Sequence, residues 1–132
     1  MKSALFVDFD NVYSGLRKLD QTIADRFARQ PLEWMNWIIH ELELPDHTPD
    51  GARRRVLVRR CYLNPQAYQR FRPSFNLAGF EIIDCPALTS EGKTSTDIHM
   101  VLDIIDLLQH ETHYDEFIVF SADADFTPVL RK

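Results

Sequence analysis

Two carboxylates and an amide close the segment ALFVDFDN: Asp8, Asp10 and Asn11 follow four apolar residues, Ala4 to Val7. A second acidic pair, Asp123 and Asp125, follows an apolar run in FIVFSADADF, and Asp97 opens the periodic stretch TDIHMVLDIIDLLQ. Carboxylates gathered in one crevice repel one another unless a cation sits among them, and oxygen donors without His or Cys select a hard ion, Mg²⁺ or Mn²⁺. Such an ion binds phosphates and polarises a water for attack on phosphorus. The expected chemistry is hydrolysis of a phosphate ester, with Asp8, Asp97 and Asp123 mainly holding one or two ions and Asp125 and Asp10 joining directly or through water. Any one Asp after a strand is ordinarily a turn residue or a helix cap. What argues for chemistry is that acids stand at three separated places that one topology would bring to one rim.

That topology can be read from the surrounding elements. SALFVD is continuously apolar, as a strand covered on both faces is, and Asn11 can cap a following helix that turns Val12, Leu16, Leu19, Ile23 and Phe27 inward. Pro31 opens a second helix, PLEWMNWIIHELEL, with Trp34, Trp37, Ile38 and Leu42 as core. RVLVRRCYL reads as a strand, QAYQRFRPSFNLAG as a helix that Pro73 breaks or kinks and Gly79 closes, and FEIIDC as a third strand. TDIHMVLDIIDLLQ reads as a helix with Ile98, Val101, Ile104, Ile105 and Leu108 on one face, and EFIVFS as the last clear strand. Strands alternating with helices predict right-handed crossovers and a mostly parallel central sheet in a doubly wound α/β sandwich. The crevice of such a sheet lies at the carboxyl ends of the strands, where their order switches direction. If the first and last strands are neighbours, the acids converge there. The closing DFTPVLRK reads as the first turns of a helix, so residues 1–132 are expected to form a single domain lacking its final helix and strand.

At 132 residues, 45% of them hydrophobic, the chain supports one core and not two. Cys61 and Cys85 have apolar neighbours and no metal-ligand spacing, and read as buried free thiols. A single Lys before four apolar residues is no signal peptide, and no later run is long enough to span a membrane. A soluble, cytoplasmic protein is expected. The net charge of −5, from 15 basic and 20 acidic residues, argues on totals against a polyanion partner. Its distribution argues otherwise, because seven of the basic residues are arginines between Arg53 and Arg72.

The segments FVDFDNVY, KTSTDIHMVLDIIDLL and FIVFSADADFTPVL together resemble the three signature segments of the NYN domain, the LabA-like branch of the PIN-like nucleases. The resemblance implies a Rossmann-like three-layer sandwich, dependence on Mg²⁺ or Mn²⁺, and cleavage of RNA, usually single-stranded. By position it makes Asp8 the first-strand carboxylate, Asn11 its support, Asp97 the acid at a helix start, and Asp123 and Asp125 the pair of the third segment. Ala122 stands where the family often has Gly, and Asp10 occupies a position that varies in the family.

For the substrate, Lys93 could contact the scissile phosphate, and Arg53, Arg54, Arg55, Arg59 and Arg60 could track the RNA backbone. Alternate residues of a strand face opposite ways, so Arg59 and Arg60 cannot share one ligand. Tyr13 and Tyr62 are candidates for stacking on bases. Two other reaction classes fit parts of the chain. VDFDNV matches the Asp-x-Asp motif of HAD-type phosphatases, with Asp8 as nucleophile and Asp10 as acid/base, and ALTSEGKT approaches a P-loop. A non-catalytic RNA-binding module is the remaining alternative. Oligomeric state is not legible, although a homo-oligomer is compatible with the chain.

Overall fold

The computed structural model describes residues 1–87, 96–109, 113–121 and 129–131, with backbone alone at 97 and 129–131. The chain runs β1 (Lys2–Asp8), α1 (Phe9–Leu19), α2 (Gln21–Arg29), α3 (Pro31–His40), β2 (Arg55–Leu63), α4 (Pro65–Tyr68), a single 3₁₀ turn (Gln69–Phe71), α5 (Arg72–Leu77), β3 (Glu81–Asp84), α6 (Thr96–Leu108), β4 (Glu116–Phe120) and β5 (Val129–Arg131). The sheet order is β3-β2-β1-β4-β5, parallel among the first four and antiparallel between β4 and β5. The expected mostly parallel α/β sandwich is therefore present, and β1 and β4 are neighbours, with Val7 paired to Phe120.

Side chains alternate between two cores, as strand geometry requires. Leu5, Val7, Cys61, Leu63 and Ile118 pack with Phe9, Phe27 and Phe75 under the helices α1 to α5. Ala4, Phe6, Tyr62, Phe117 and Val119 pack with Met100, Ile104 and Leu107 of α6. Gly79 closes α5 in the left-handed region (φ +84) and faces the Arg59 guanidinium, whose nearest nitrogen would stand 3.2 Å from an added Cβ.

Several sequence expectations need correction. The first helix is two, because Asp20 is extended (φ −164, ψ 120), ends α1, and caps α2 by accepting from the Thr22 N–H at 2.8 Å. The apolar period runs unbroken across that corner, so Leu19, 82% exposed, and Ile23 fall outside the core. Trp37 is 55% exposed, whereas Trp34 is packed in place and donates its indole N–H to the Phe27 carbonyl. The segment expected to be one helix around Pro73 is α4, a 3₁₀ turn and α5. On α6 only Ile104 of the expected face is buried, beside Met100 and Leu107, while Ile98, Val101, Ile105 and Leu108 are exposed. At the chain end, residues 129–131 form a strand rather than a helix, satisfying backbone groups along the edge of β4.

Candidate active site

The strand order reverses between β1 and β4, so the crevice of this sheet opens beyond Asp8 and Ser121. Asp8 ends β1 and is also the N-cap of α1: its carboxylate accepts from the Asn11 backbone N–H at 3.4 Å and from the Asn11 side-chain amide at 2.6 Å. Asn11 is thus three residues inside the helix and holds Asp8, a correction to its expected role as the cap. Asp8 is only 1% exposed. Asp10, in the first turn of α1, accepts from the backbone N–H of Asn64 at 3.0 Å. Asn64 ends the β2 arm and caps α4 by accepting from the Gln66 N–H, also at 3.0 Å.

A third arm comes from β3 and α6. Cys85 follows β3, with its N–H donated to the Leu63 carbonyl at 2.8 Å, and its thiol hydrogen-bonds to Thr96, buried at the first position of α6. Burial pushes both thiols up, Cys61 well up, and the charges of Asp8 and Asp10 add to each shift. Both cysteines are free and buried. The ends of β1, β2 and β3 and the starts of α1, α4 and α6 therefore meet at one rim, carrying Asp8 and Asp10.

A family model for the NYN domain matches residues 2–132. The chain belongs to the NYN domain family. No curated protein and no solved structure matches it. NYN domains belong to the PIN-like nuclease superfamily, whose members typically use divalent metals and act on RNA. Membership leaves the HAD-type reading without family support.

Part of this NYN domain's expected site lies outside the described residues: Lys93, Asp123, Asp125, the P-loop-like stretch after Ala87 and the side chain of Asp97. Among the described residues no three His, Cys, Asp or Glu side chains are gathered as a metal-holding group. The donors that are described fit a hard cation. Burial pushes the Asp10 carboxyl up to about 6 from 3.8, only partly offset by the Asn64 N–H, and a cation beside it would relieve that cost.

The expected substrate contacts fall elsewhere. Arg59 donates to the Val56 and Ala78 carbonyls at 3.2 and 2.8 Å, on the α5 side. Arg60 lies on the opposite side, 3.4 Å from Glu81 and 3.9 Å from Asp103. Arg54 is fully buried against Glu116, 2.6 Å away, and Arg53 and Arg55, though exposed, stand at the amino end of β2, at the opposite end of the strands from the rim. Tyr13 is 2% exposed and its hydroxyl bonds Asp25 and Gln21, while Tyr62 is buried with its hydroxyl on Asp103. Neither ring presents a face to solvent. Asn64 escaped the sequence reading, although Asn followed by Pro in YLNPQ is a cap signature that marks both the end of β2 and the rim. A cavity of about 450 Å³ lies at the other end of the strands, lined by Met1, His47, Tyr114 and Asp115 among others, and carries none of the rim carboxylates.

The elevated Asp10 carboxyl gives a pH prediction. Its proton is held more tightly in the folded chain than in the unfolded one, so folding becomes less favourable as pH rises from 3.8 to about 6. In EDTA, melting curves at pH 5 and pH 7 should show a loss of stability that Asp10→Asn lacks. Metal competes with that proton, so Mn²⁺ affinity measured by calorimetry should fall as pH drops below about 6. Equal pH dependence in wild type and Asp10→Asn would count against both statements.

Proposed function

We propose that this NYN domain is a LabA-like, divalent-metal-dependent ribonuclease that hydrolyses phosphodiester bonds of single-stranded RNA in the cytoplasm. The observation that carries this reading is the pair Asp8 and Asp10 at the β1/β4 switch point, Asp8 held by the Asn11 side-chain amide and Asp10 by the Asn64 backbone N–H from the β2 arm. Asp8, Asp97, Asp123 and Asp125 would hold Mg²⁺ or Mn²⁺, with Asp10 beside them. When bound, the ions supply an activated water and positive charge for the phosphoryl oxygens. The chain's own contribution is preorganisation. Asn11 fixes the Asp8 carboxylate, the Asn64 N–H orients Asp10, and the first turns of α1 and α6 bring the positive ends of two helix dipoles to where phosphate charge must be tolerated. Lys93 is the candidate for a direct phosphate contact.

End-labelled single-stranded RNA incubated with Mn²⁺ should be cut, and cutting should vanish in EDTA and in Asp123→Asn. Uncut RNA that is nonetheless bound would replace the enzyme by a binding module. Cutting that persists in Asp123→Asn would move the chemistry away from this pocket.

A further inference from the structure

A second group of arginines lies outside the β2 run. Arg17 of α1, Arg29 of α2 and Arg70 of the 3₁₀ turn are all exposed, and none is in an ion pair among the described residues. Their guanidinium groups gather over two rings: Arg17 lies 5.9 Å from the centroid of Tyr13, and Arg29 and Arg70 lie 5.1 and 4.4 Å from that of Phe71. The two ring centroids are 5.2 Å apart. In a chain of net charge −5, three such cations on one corner form a local reversal of sign. Stacking over aromatic faces also holds them in a defined place at little further entropic cost.

The patch is continuous with the acidic rim. Asp10, Ser14 and Arg17 recur at helical spacing along one side of α1, and Tyr68 stands against that side, its ring 5.3 Å from Tyr13. Burial pushes the Tyr68 phenol up and Asp10 pushes it further, whereas Arg17 and a hydrogen bond with Ser14 pull it down. Tyr68 therefore sits between the acid and the cation. By the 1.5 Å rise per residue, Arg17 lies about 10 Å along α1 from Asp10, a short step along an extended nucleic-acid strand. Asp25, which accepts from the Tyr13 hydroxyl, is the acid facing this corner.

We propose that the RNA strand leaves the acidic site past Tyr68 and across this corner, with Arg17, Arg29 and Arg70 holding successive backbone phosphates. The inference rests on the ribonuclease reading and names the part of the surface that its substrate occupies.

The test is fluorescence anisotropy in EDTA with a labelled single-stranded RNA of about twelve nucleotides, over a salt series, for wild type, Arg17→Gln/Arg29→Gln/Arg70→Gln, and Arg53→Gln/Arg55→Gln at the other end of the strands. The triple variant should bind at least about tenfold more weakly at low salt and flatten the slope of log K against log salt by about 2, since each single-strand phosphate contact contributes roughly 0.7. The Arg53/Arg55 variant should match wild type. With Mn²⁺, the triple variant should raise KM for the long RNA and leave kcat unchanged, and should cut a dinucleotide as wild type does. Arg17→Gln alone, which leaves Phe71 covered, should flatten the slope by about 0.7 even if the triple variant folds poorly. Wild-type affinity and slope in the arginine variants, or an equal loss in Arg53→Gln/Arg55→Gln, would overturn the track. Failure of wild type to cut any RNA would instead overturn the ribonuclease reading, and the binding series would still decide the track.

Discussion

Asp8→Asn should lower Mn²⁺-dependent RNA cleavage by on the order of a hundredfold or more while leaving the melting temperature nearly unchanged. The two effects separate because Asp8 caps a helix and, in the proposed function, also holds the metal. As N-cap of α1 it accepts from the Asn11 backbone N–H, and Asn caps a helix about as well as Asp. As the proposed metal ligand it would supply a negative charge that Asn lacks, and losing a charged donor to an ion that stabilises several kcal/mol of developing phosphoryl charge costs the larger amount. Asp8→Ala removes both functions and should add about 1 kcal/mol of destabilisation from the lost cap. Parallel melting curves and cleavage assays on the two variants give the answer. If Asp8→Asn cleaves like wild type, the rim residue is a cap only.

The place of Asp8, Asp10 and Asn11 at the rim was legible because strand ends carry their chemistry in local order. Four apolar residues and then Asp8, Asp10 and Asn11 announce a buried strand and its exit, and the alternation of elements leads to a parallel sheet whose switch point holds them. What local order could not convey was which partners hold these side chains. Asp10 is braced by Asn64, far away in sequence, and Asn11, a cap by local pattern, is instead the support of Asp8 that the family resemblance implies, because the helix begins directly after β1 ends.

The misread faces have a physical cause as well. α6 is apolar on most of its circumference, so periodicity permits more than one inward stripe, and the sheet takes the one containing Met100, Ile104 and Leu107. The β2 arginines were assigned to RNA because charge in a sequence says nothing of who neutralises it. Arg54 meets Glu116, Arg60 meets Glu81 and Asp103, and Arg59 covers the end of α5. Arg17, Arg29 and Arg70, which are in no ion pair among the described residues, are dispersed in sequence, and only packing against Tyr13 and Phe71 collects them.

Glu116→Ala should destabilise the fold by about 3–5 kcal/mol, a large part of the total for a domain of this size. Arg54 and Glu116 have fully buried side chains, and every guanidinium N–H has an acceptor. Nε and one terminal nitrogen bind the two Glu116 oxygens at 2.6 and 2.8 Å, and the remaining N–H groups reach the carbonyls of Ile38, Leu42 and Glu43 at 2.6, 2.9 and 3.0 Å. Ser3 adds its hydroxyl to Glu116 at 2.9 Å. The cluster therefore ties the amino ends of β1, β2 and β4 to the end of α3. Removing Glu116 leaves a buried cation with no counter-charge, and a melting temperature lower by roughly 10 °C or more is expected. Arg54→Met/Glu116→Leu should recover part of the loss by removing the charge, but not all, because three carbonyls then lose their donor. The cluster lies at the opposite end of the strands from Asp8, so cleavage per folded molecule, measured well below the transition, should stay at the wild-type level. That outcome is the inverse of Asp8→Asn, and it makes the pair of variants a test of whether stability and chemistry occupy opposite ends of this sheet.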